Sequence, residues 1–345
     1  MDKGKNVIYP MGRSRHCSSL NVHEVINDNY ELLDTPLSEP WTTGTFFGNP
    51  VSPLCNAAAL AAPIWRTTSR TSNKVYPYFN PTPEDTSAFQ EMEGDLGLPG
   101  TATATAHGTI SLRLAHRMRV DLTIDRAVRL LNFKNNIVIA MNPTGSACAL
   151  LHPNGRVHQY GSRVEIMAHD IRGNHKYAKM WYKGVSFTSE NCALVYLVDS
   201  AGTRTTTDSF SDLMQDFSLG VFYSESRHGQ TFAIDAVNII HGAQYWTTEE
   251  GVENWLINNV RISQAPDGLV RVARNSNKYH LRTSPTNGTA SMTTPFLHCT
   301  ASMGSTSHLF VRRGERRMHF DGSSFIVRNA GHSAGFDEKT QLKVF

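Results

Sequence analysis

Apolar and polar positions alternate in short runs from about His107 onward. Thr109-Ile110-Ser111-Leu112-Arg113-Leu114 and Met118-Arg119-Val120-Asp121-Leu122-Thr123-Ile124 change character at almost every residue, the period of a half-buried antiparallel strand. Residues 136–141 and 146–151 follow, parted by the turn Asn142-Pro143-Thr144-Gly145. Asn154-Gly155, before the alternating run 156–160, is the strongest hairpin signal in the chain, because both central positions of a type I′ turn need positive φ. Residues 163–168, 177–187 and 192–198 extend this meander, and Asp199-Ser200-Ala201-Gly202 closes it into 203–206. A second region of the same kind runs through 257–262, 269–272, 278–282, 308–311, 317–320, 324–327 and 341–345, with Pro266-Asp267-Gly268 and Asp321-Gly322 as turns. Residues 208–216 and 247–255 are the best helix candidates, the latter opened by a Thr247/Glu250 capping box.

The pattern predicts a mainly β protein of antiparallel meander and hairpin sheets with few short helices. Residues 151–157, 182–187 and 320–325 each place a glycine turn between short apolar strands. They recur at no fixed period, which does not support a propeller or solenoid.

The N-terminal part differs in kind. Ten of the fifteen prolines fall in residues 1–105, where 11 acidic and 7 basic side chains leave a net charge of −4. Each proline removes a donor and restricts its predecessor, so this stretch reads as an extended, largely disordered arm. Two aromatic islands in it, with Trp41, Phe46 and Phe47 and then Tyr76, Tyr78 and Phe79, are candidate anchors for a partner's groove. Packing back onto the chain's own globular part is as good a reading of them. An acidic run, Glu84-Asp85 through Glu91, Glu93 and Asp95, closes the arm. The organisation expected is an arm over 1–105, a β module over 106–228 and a second β-rich module over 229–345.

Charge and chemistry narrow the function further. The whole chain is only +3, too even to argue for nucleic acid without a local concentration of charge. Residues 106–345 carry 26 basic against 19 acidic groups, and Arg312, Arg313, Arg316 and Arg317 form the densest cluster. Four guanidiniums around a turn suit bidentate recognition of phosphate or of an acidic peptide. Arg113, Arg117, Arg119, Arg126 and Arg129 beside Tyr160, Trp181 and Tyr182 supply the ingredients of a single-strand nucleic-acid stripe. A solvated sheet face is the preferred reading of that stripe, and no RNP or KH signature accompanies it.

Gly331-His332-Ser333-Ala334-Gly335 matches G-x-S-x-G, but no histidine follows it, as the hydrolase order of that motif requires. Among the fifteen histidines, His152 and His158, and likewise His169 and His175, stand six apart, close enough for cross-strand partners to meet. No H-E-x-x-H or H-x-H accompanies them, and no metal or cofactor is expected. The five cysteines are scattered without a C-x-x-C pair and read as buried free thiols of a reducing compartment. No apolar run is long enough to span a membrane.

Leu151-His152-Pro153-Asn154-Gly155-Arg156-Val157 and Lys179-Met180-Trp181-Tyr182-Lys183-Gly184-Val185-Ser186-Phe187 resemble stretches of animal proteins with small β-rich modules, including the sperm-associated-antigen group of the ciliary central apparatus. The resemblance spans about a tenth of the chain. It implies a non-enzymatic scaffold in a cilium, flagellum or centrosome-related assembly. The expected function is therefore an intracellular, cytoplasmic or cytoskeletal adaptor that binds proteins. Its candidate contacts are Trp41, Phe46, Phe47, Tyr76, Tyr78, Phe79, Arg312, Arg313, Arg316 and Arg317. Nucleic-acid binding through an arginine-rich β surface is the alternative.

Overall fold

Nearly every alternating run becomes a strand that pairs with its neighbour in sequence. The computed structural model describes residues 98–345, apart from 171–172 and 275–277. The arm therefore lies outside the described residues except for its last few. The first sheet holds β1 (Ala102–Ala104), β2 (Thr109–Leu114), β3 (Met118–Thr123), β4 (Val128–Asn132), β5 (Ile137–Met141), β6 (Ala147–His152), β7 (Gly155–Tyr160), β8 (Arg163–His169), β9 (His175–Trp181), β10 (Gly184–Ser189), β11 (Val195–Asp199) and β12 (Gly202–Thr206). The second holds β13 (Gln244–Thr247), β14 (Glu253–Ile257), β15 (Val260–Gln264), β16 (Val270–Arg274), β17 (Tyr279–Thr283), β18 (Ala290–Thr293), β19 (His298–Ser302), β20 (His308–Arg313), β21 (Arg316–Phe320), β22 (Phe325–Asn329), β23 (His332–Phe336) and β24 (Leu342–Val344). Each sheet is an unbroken 12-strand meander, about 50 Å across at the usual spacing of neighbouring strands.

The two sheets share one core. Leu130, Ile139 and Leu150 from the first and Ile262, Val272 and Val311 from the second belong to a single buried cluster. Polar side chains at the hairpin ends sew the layers together. Gln264 accepts from Ala115 N–H at 2.9 Å and donates to its carbonyl at 3.0 Å. Asn132 Nδ2 donates to Thr283 Oγ1 at 3.1 Å, and Asn329 Nδ2 to the Val198 carbonyl at 3.2 Å. These links place the early strands of one sheet over the early strands of the other, and the late over the late.

That alignment requires the chain to return from β12 to the β1 end before β13 begins, and residues 207–243 make the journey. They run back over the outer face of the first sheet as a strap. Lys179 pairs with Asp208 and donates to the Ser209 carbonyl. Glu165 accepts from Ser211 N–H at 3.0 Å, and Arg156 Nη1 donates to the Leu213 and Gln215 carbonyls at 2.9 and 3.0 Å. Arg129 reaches Asp216 at 3.6 Å. The helix α1 (Ser218–Tyr223) then lays Val221 and Phe222 on Leu131, Val138, Ala140 and Ala149, each large side chain so buried contributing about 1.5–3 kcal/mol. The helix α2 (Ala233–His241) packs against β1 and β2.

The strap explains a difference in pattern between the sheets. Every residue of β4, β5 and β6 is buried, as expected of strands covered on both faces. In β16, β17 and β21 buried and exposed or half-buried residues alternate, because nothing among the described residues covers their outer face.

Several local expectations are corrected. Residues 208–216 form no helix, because their backbone groups bond Lys179, Glu165 and Arg156 instead of one another. Residues 247–255 form the β13–β14 hairpin, with Gly251 at φ 76° in the turn and Trp255 wholly buried in the core. No capping box forms at Thr247. The hairpin at Asn154-Gly155 exists, but its central pair is Pro153-Asn154, since His152 stands opposite Gly155. The Asp321-Gly322 turn has four residues, 321–324, between the paired Phe320 and Phe325. Asp321 accepts from Ser323 and Ser324 N–H there, and despite partial burial these bonds hold its carboxyl below the usual range. The boundary read at residue 228 falls within the connection that joins the two sheets.

Candidate protein-docking face

Strand alternation divides the predicted arginine cluster between two faces. Val311 and Met318 face the core and are wholly buried, so their neighbours Arg312 and Arg317 point outward, directly opposite one another. Arg328 stands opposite Arg317 on the next strand, and His298 opposite Arg312 on the strand before. The result is an unbroken row, His298–Arg312–Arg317–Arg328, across β19 to β22. Arg313 and Arg316, also opposite one another, share the inward side and reach the end of the sandwich, where Arg316 Nη2 donates to the Tyr182 carbonyl at 3.3 Å.

The row is part of a larger basic face. From β15 to β23 the strands contain nine arginines and no aspartate or glutamate. Arg271 and Arg282 form a second outward cross-strand pair, and Arg261 lies near them over the Trp246 ring. No described carboxylate pairs with Arg271, Arg282, Arg312, Arg317 or Arg328. Phe310, His319 and Ile326 make an apolar step beside the row, with Phe310 opposite His319 and His319 opposite Ile326. Like charges set directly opposite on a sheet are destabilising, so the fold tolerates a repulsion that a bound polyanion would relieve.

The other predicted residues are placed differently. Trp41, Phe46, Phe47, Tyr76, Tyr78 and Phe79 lie outside the described residues. The stripe of Arg113, Arg117, Arg119, Arg126 and Arg129 does not form a free surface. Arg129 is buried and pairs with Asp121 and Asp216, and Arg119 also holds Asp121 at 3.1 Å. Tyr160 donates to Glu165 at 2.6 Å and Trp181 Nε1 to Ser186 at 3.0 Å. Gly331-His332-Ser333-Ala334-Gly335 lies in the β22–β23 hairpin with no helix after it. Its glycines have structural roles: Gly331 turns at φ 87°, and a Cβ on Gly335 would meet the Phe325 carbonyl.

Of the histidine pairs, His169 and His175 do meet across β8 and β9, with Nδ1 atoms 3.0 Å apart. Burial, then His175, pushes His169 down to about 4. No cluster of three metal-ligating side chains accompanies them among the described residues. His152 and His158 do not meet. His152 Nε2 faces the Gly288 carbonyl at 2.9 Å, and Nδ1 accepts from Asn154 N–H at 3.0 Å, so the neutral ring is satisfied on both sides. Burial lowers its pKa from 6.5 to about 4. The unfolded chain takes up this proton below about pH 6.5 and the folded chain does not. Stability should therefore fall as pH drops from 6.5 towards 4, by about 3 kcal/mol from this group at the lower end. Urea unfolding across that range checks it, and His152→Gln should reduce the slope, the remainder coming from His169. Cys148 and Cys299 are buried free thiols; burial raises Cys148 to about 12 and Cys299 well above its ordinary value.

Arg271, Arg282 and Arg328 were not singled out from the sequence. The information was present as the absence of acids from nine successive strands. A linear search for dense basic runs passes over it, because outward positions on neighbouring strands are far apart in sequence.

Fold and surface define, among the described residues, a two-layer β meander with one face strapped and the other open and basic. The chain belongs to the family described as "Domain of unknown function (DUF8796)", which it matches over residues 101–342. No curated protein matches it. Similar solved structures include the wild-type TCP10 domain of Danio rerio CPAP, at 10% identity and TM-score 0.19, covering 71% of this chain and 98% of that one. The same domain with a peptide of Danio rerio STIL matches at 8% and 0.16, covering 69% and 98%. The G-box domain of the microcephaly protein CPAP, described as suggesting a role in centriole elongation, matches at 8% and 0.15, covering 66% and 97%.

Proposed function

We propose that this protein is a protein-interaction scaffold whose open sheet face docks an acidic segment of a partner. The observation that carries this reading is the outward arginine row Arg312–Arg317–Arg328, with no carboxylate on its strands. Guanidiniums present fixed forks of donors that fit carboxylates two at a time. The neighbouring Phe310 and Ile326 give the partner's apolar side chains a place to rest. The resemblance of residues 151–157 and 179–187 to ciliary β modules supports a cytoskeletal, ciliary or flagellar setting for the assembly.

Replacing Arg312, Arg317 and Arg328 together by alanine should weaken binding of a glutamate-rich peptide by tenfold or more, since charged hydrogen bonds are worth about 1.5–3 kcal/mol each. The melting temperature should hold or rise, because the like-charge repulsion is removed. Unchanged affinity would reject the face as the contact. A single-stranded oligonucleotide that binds far more tightly than the peptide, with loss in the same variant, would replace this reading by the nucleic-acid one.

A further inference from the structure

We infer that the inward pair Arg313 and Arg316 forms a separate subsite for a phosphate group carried by the docked acidic segment. The inference rests on the docking reading above and adds to it the chemistry of one partner side chain. The two guanidiniums come from opposite strands of the β20–β21 hairpin at its Gly314-Glu315 turn, with Gly314 at φ 57°. They sit beyond the last core pair of that hairpin, Val311 and Met318, at the seam between the two sheets. Pro295, Phe296, Glu315 and Asn329 complete a recess of about 370 Å³ around them.

Their hydrogen bonding is incomplete. Arg313 Nη1 and Arg316 Nε are buried without a hydrogen-bond partner, and no carboxylate pairs with either guanidinium among the described residues. Arg316 has the Tyr182 carbonyl for one donor. A buried donor without an acceptor costs about 1–3 kcal/mol, and two facing cations add repulsion. One group with several acceptor oxygens and two negative charges would answer both, and a phosphate monoester has this composition. A carboxylate supplies half the charge and one oxygen fewer. Asn329 is committed to the Val198 carbonyl and does not compete for the ligand. Glu315, exposed on the turn, is the one acid lining the recess, and its repulsion of an anion is opposed there by the two guanidiniums.

The subsite and the outer row are separable by experiment. Full-length protein is titrated with two glutamate-rich peptides that differ only in carrying phosphoserine or serine at one position. The phosphorylated peptide should bind about tenfold tighter. Arg313→Gln with Arg316→Gln should abolish that preference and leave the affinity for the serine peptide near its original value. The outer-row alanine variant should lose affinity for both peptides. Equal affinity of the unaltered protein for the two peptides would overturn the subsite while leaving the docking face intact. So would a preference that survives the double substitution. If the double variant does not fold, the unaltered protein decides: inorganic phosphate should raise its melting temperature above that in chloride of equal ionic strength, and no rise would overturn the proposal. An oligonucleotide that competes with phosphoserine more strongly than the phosphopeptide does would also overturn it, in favour of a nucleic-acid phosphate.

Discussion

Replacing Arg129 by alanine should destabilise the protein by about 3–5 kcal/mol, the usual result of removing one partner of a buried ion pair. The side chain is 1% exposed. It reaches Asp121 at 3.9 Å, Asp216 at 3.6 Å and Ser218 Oγ at 3.2 Å, joining β3, the strap and the start of α1. Alanine would leave Asp216, 15% exposed at its side chain, without its cation and would open a void under the strap. Chemical denaturation measures the loss. Limited proteolysis should show cleavage appearing between residues 207 and 217, where the strap would lift. Arg129→Met combined with Asp216→Asn should recover part of the stability, because Asp121 keeps Arg119 as its partner and no buried charge is then left alone. A destabilisation below about 1 kcal/mol, in the range of exposed ion pairs, would show that Arg129 does not hold the strap.

Gly155→Val should cost roughly 3 kcal/mol or more. Gly155 has φ 149°, and a Cβ there would lie 2.2 Å from the Met167 carbonyl oxygen and 2.8 Å from Leu309 Cδ2. The first contact is to the backbone of the next strand and the second crosses to the other sheet, so neither the hairpin nor the sandwich can yield without cost. Gly161→Ala is the matched control. Gly161 also has positive φ, at 55°, but nothing lies within 4 Å of a Cβ, so it should lose only about 1–2 kcal/mol. Thermal unfolding of the two variants separates steric approach from backbone preference.

Gly155 also shows how far the sequence could be read. The glycine was recognisable as a hairpin signal, and the hairpin is there. Its role is different: it does not shape the centre of the turn but lets the strand after the turn pass close to β8. Gly184 repeats the arrangement at φ 144° against the Val198 carbonyl, whereas nothing lies within 4 Å of a Cβ on Gly322, so close approach at the exit of a turn is shared by the first two segments and not by 320–325. The β class and most strands were legible because apolar and polar residues alternate. The strap was not. Residues 208–216 hold apolar Phe210, Leu213 and Met214 at near-helical spacing, yet their partners are Lys179, Glu165 and Arg156 on strands far away in sequence. The Arg129 stripe failed for the same reason, since Asp216 lies 87 positions along the chain from Arg129.

The docking face was half legible. Arg312-Arg313-Gly314-Glu315-Arg316-Arg317 is conspicuous as a run, but a run does not say that 312 and 317 face one way and 313 and 316 the other. That division follows from the two-residue turn and the pairing of Arg312 with Arg317. It is what turns one basic cluster into an outer row and a seam site.

In the proposed function the open face of the second sheet receives the acidic partner, and its outward arginines report on that contact directly. Arginine-selective chemical footprinting of the full-length protein, with and without a glutamate-rich peptide, tests it. Modification of Arg312, Arg317 and Arg328 should drop when the peptide is present, while Arg163, exposed on the first sheet, should react as before. Protection of Arg163 with continued modification of Arg312, Arg317 and Arg328 would contradict the account and move the docking surface to the first sheet.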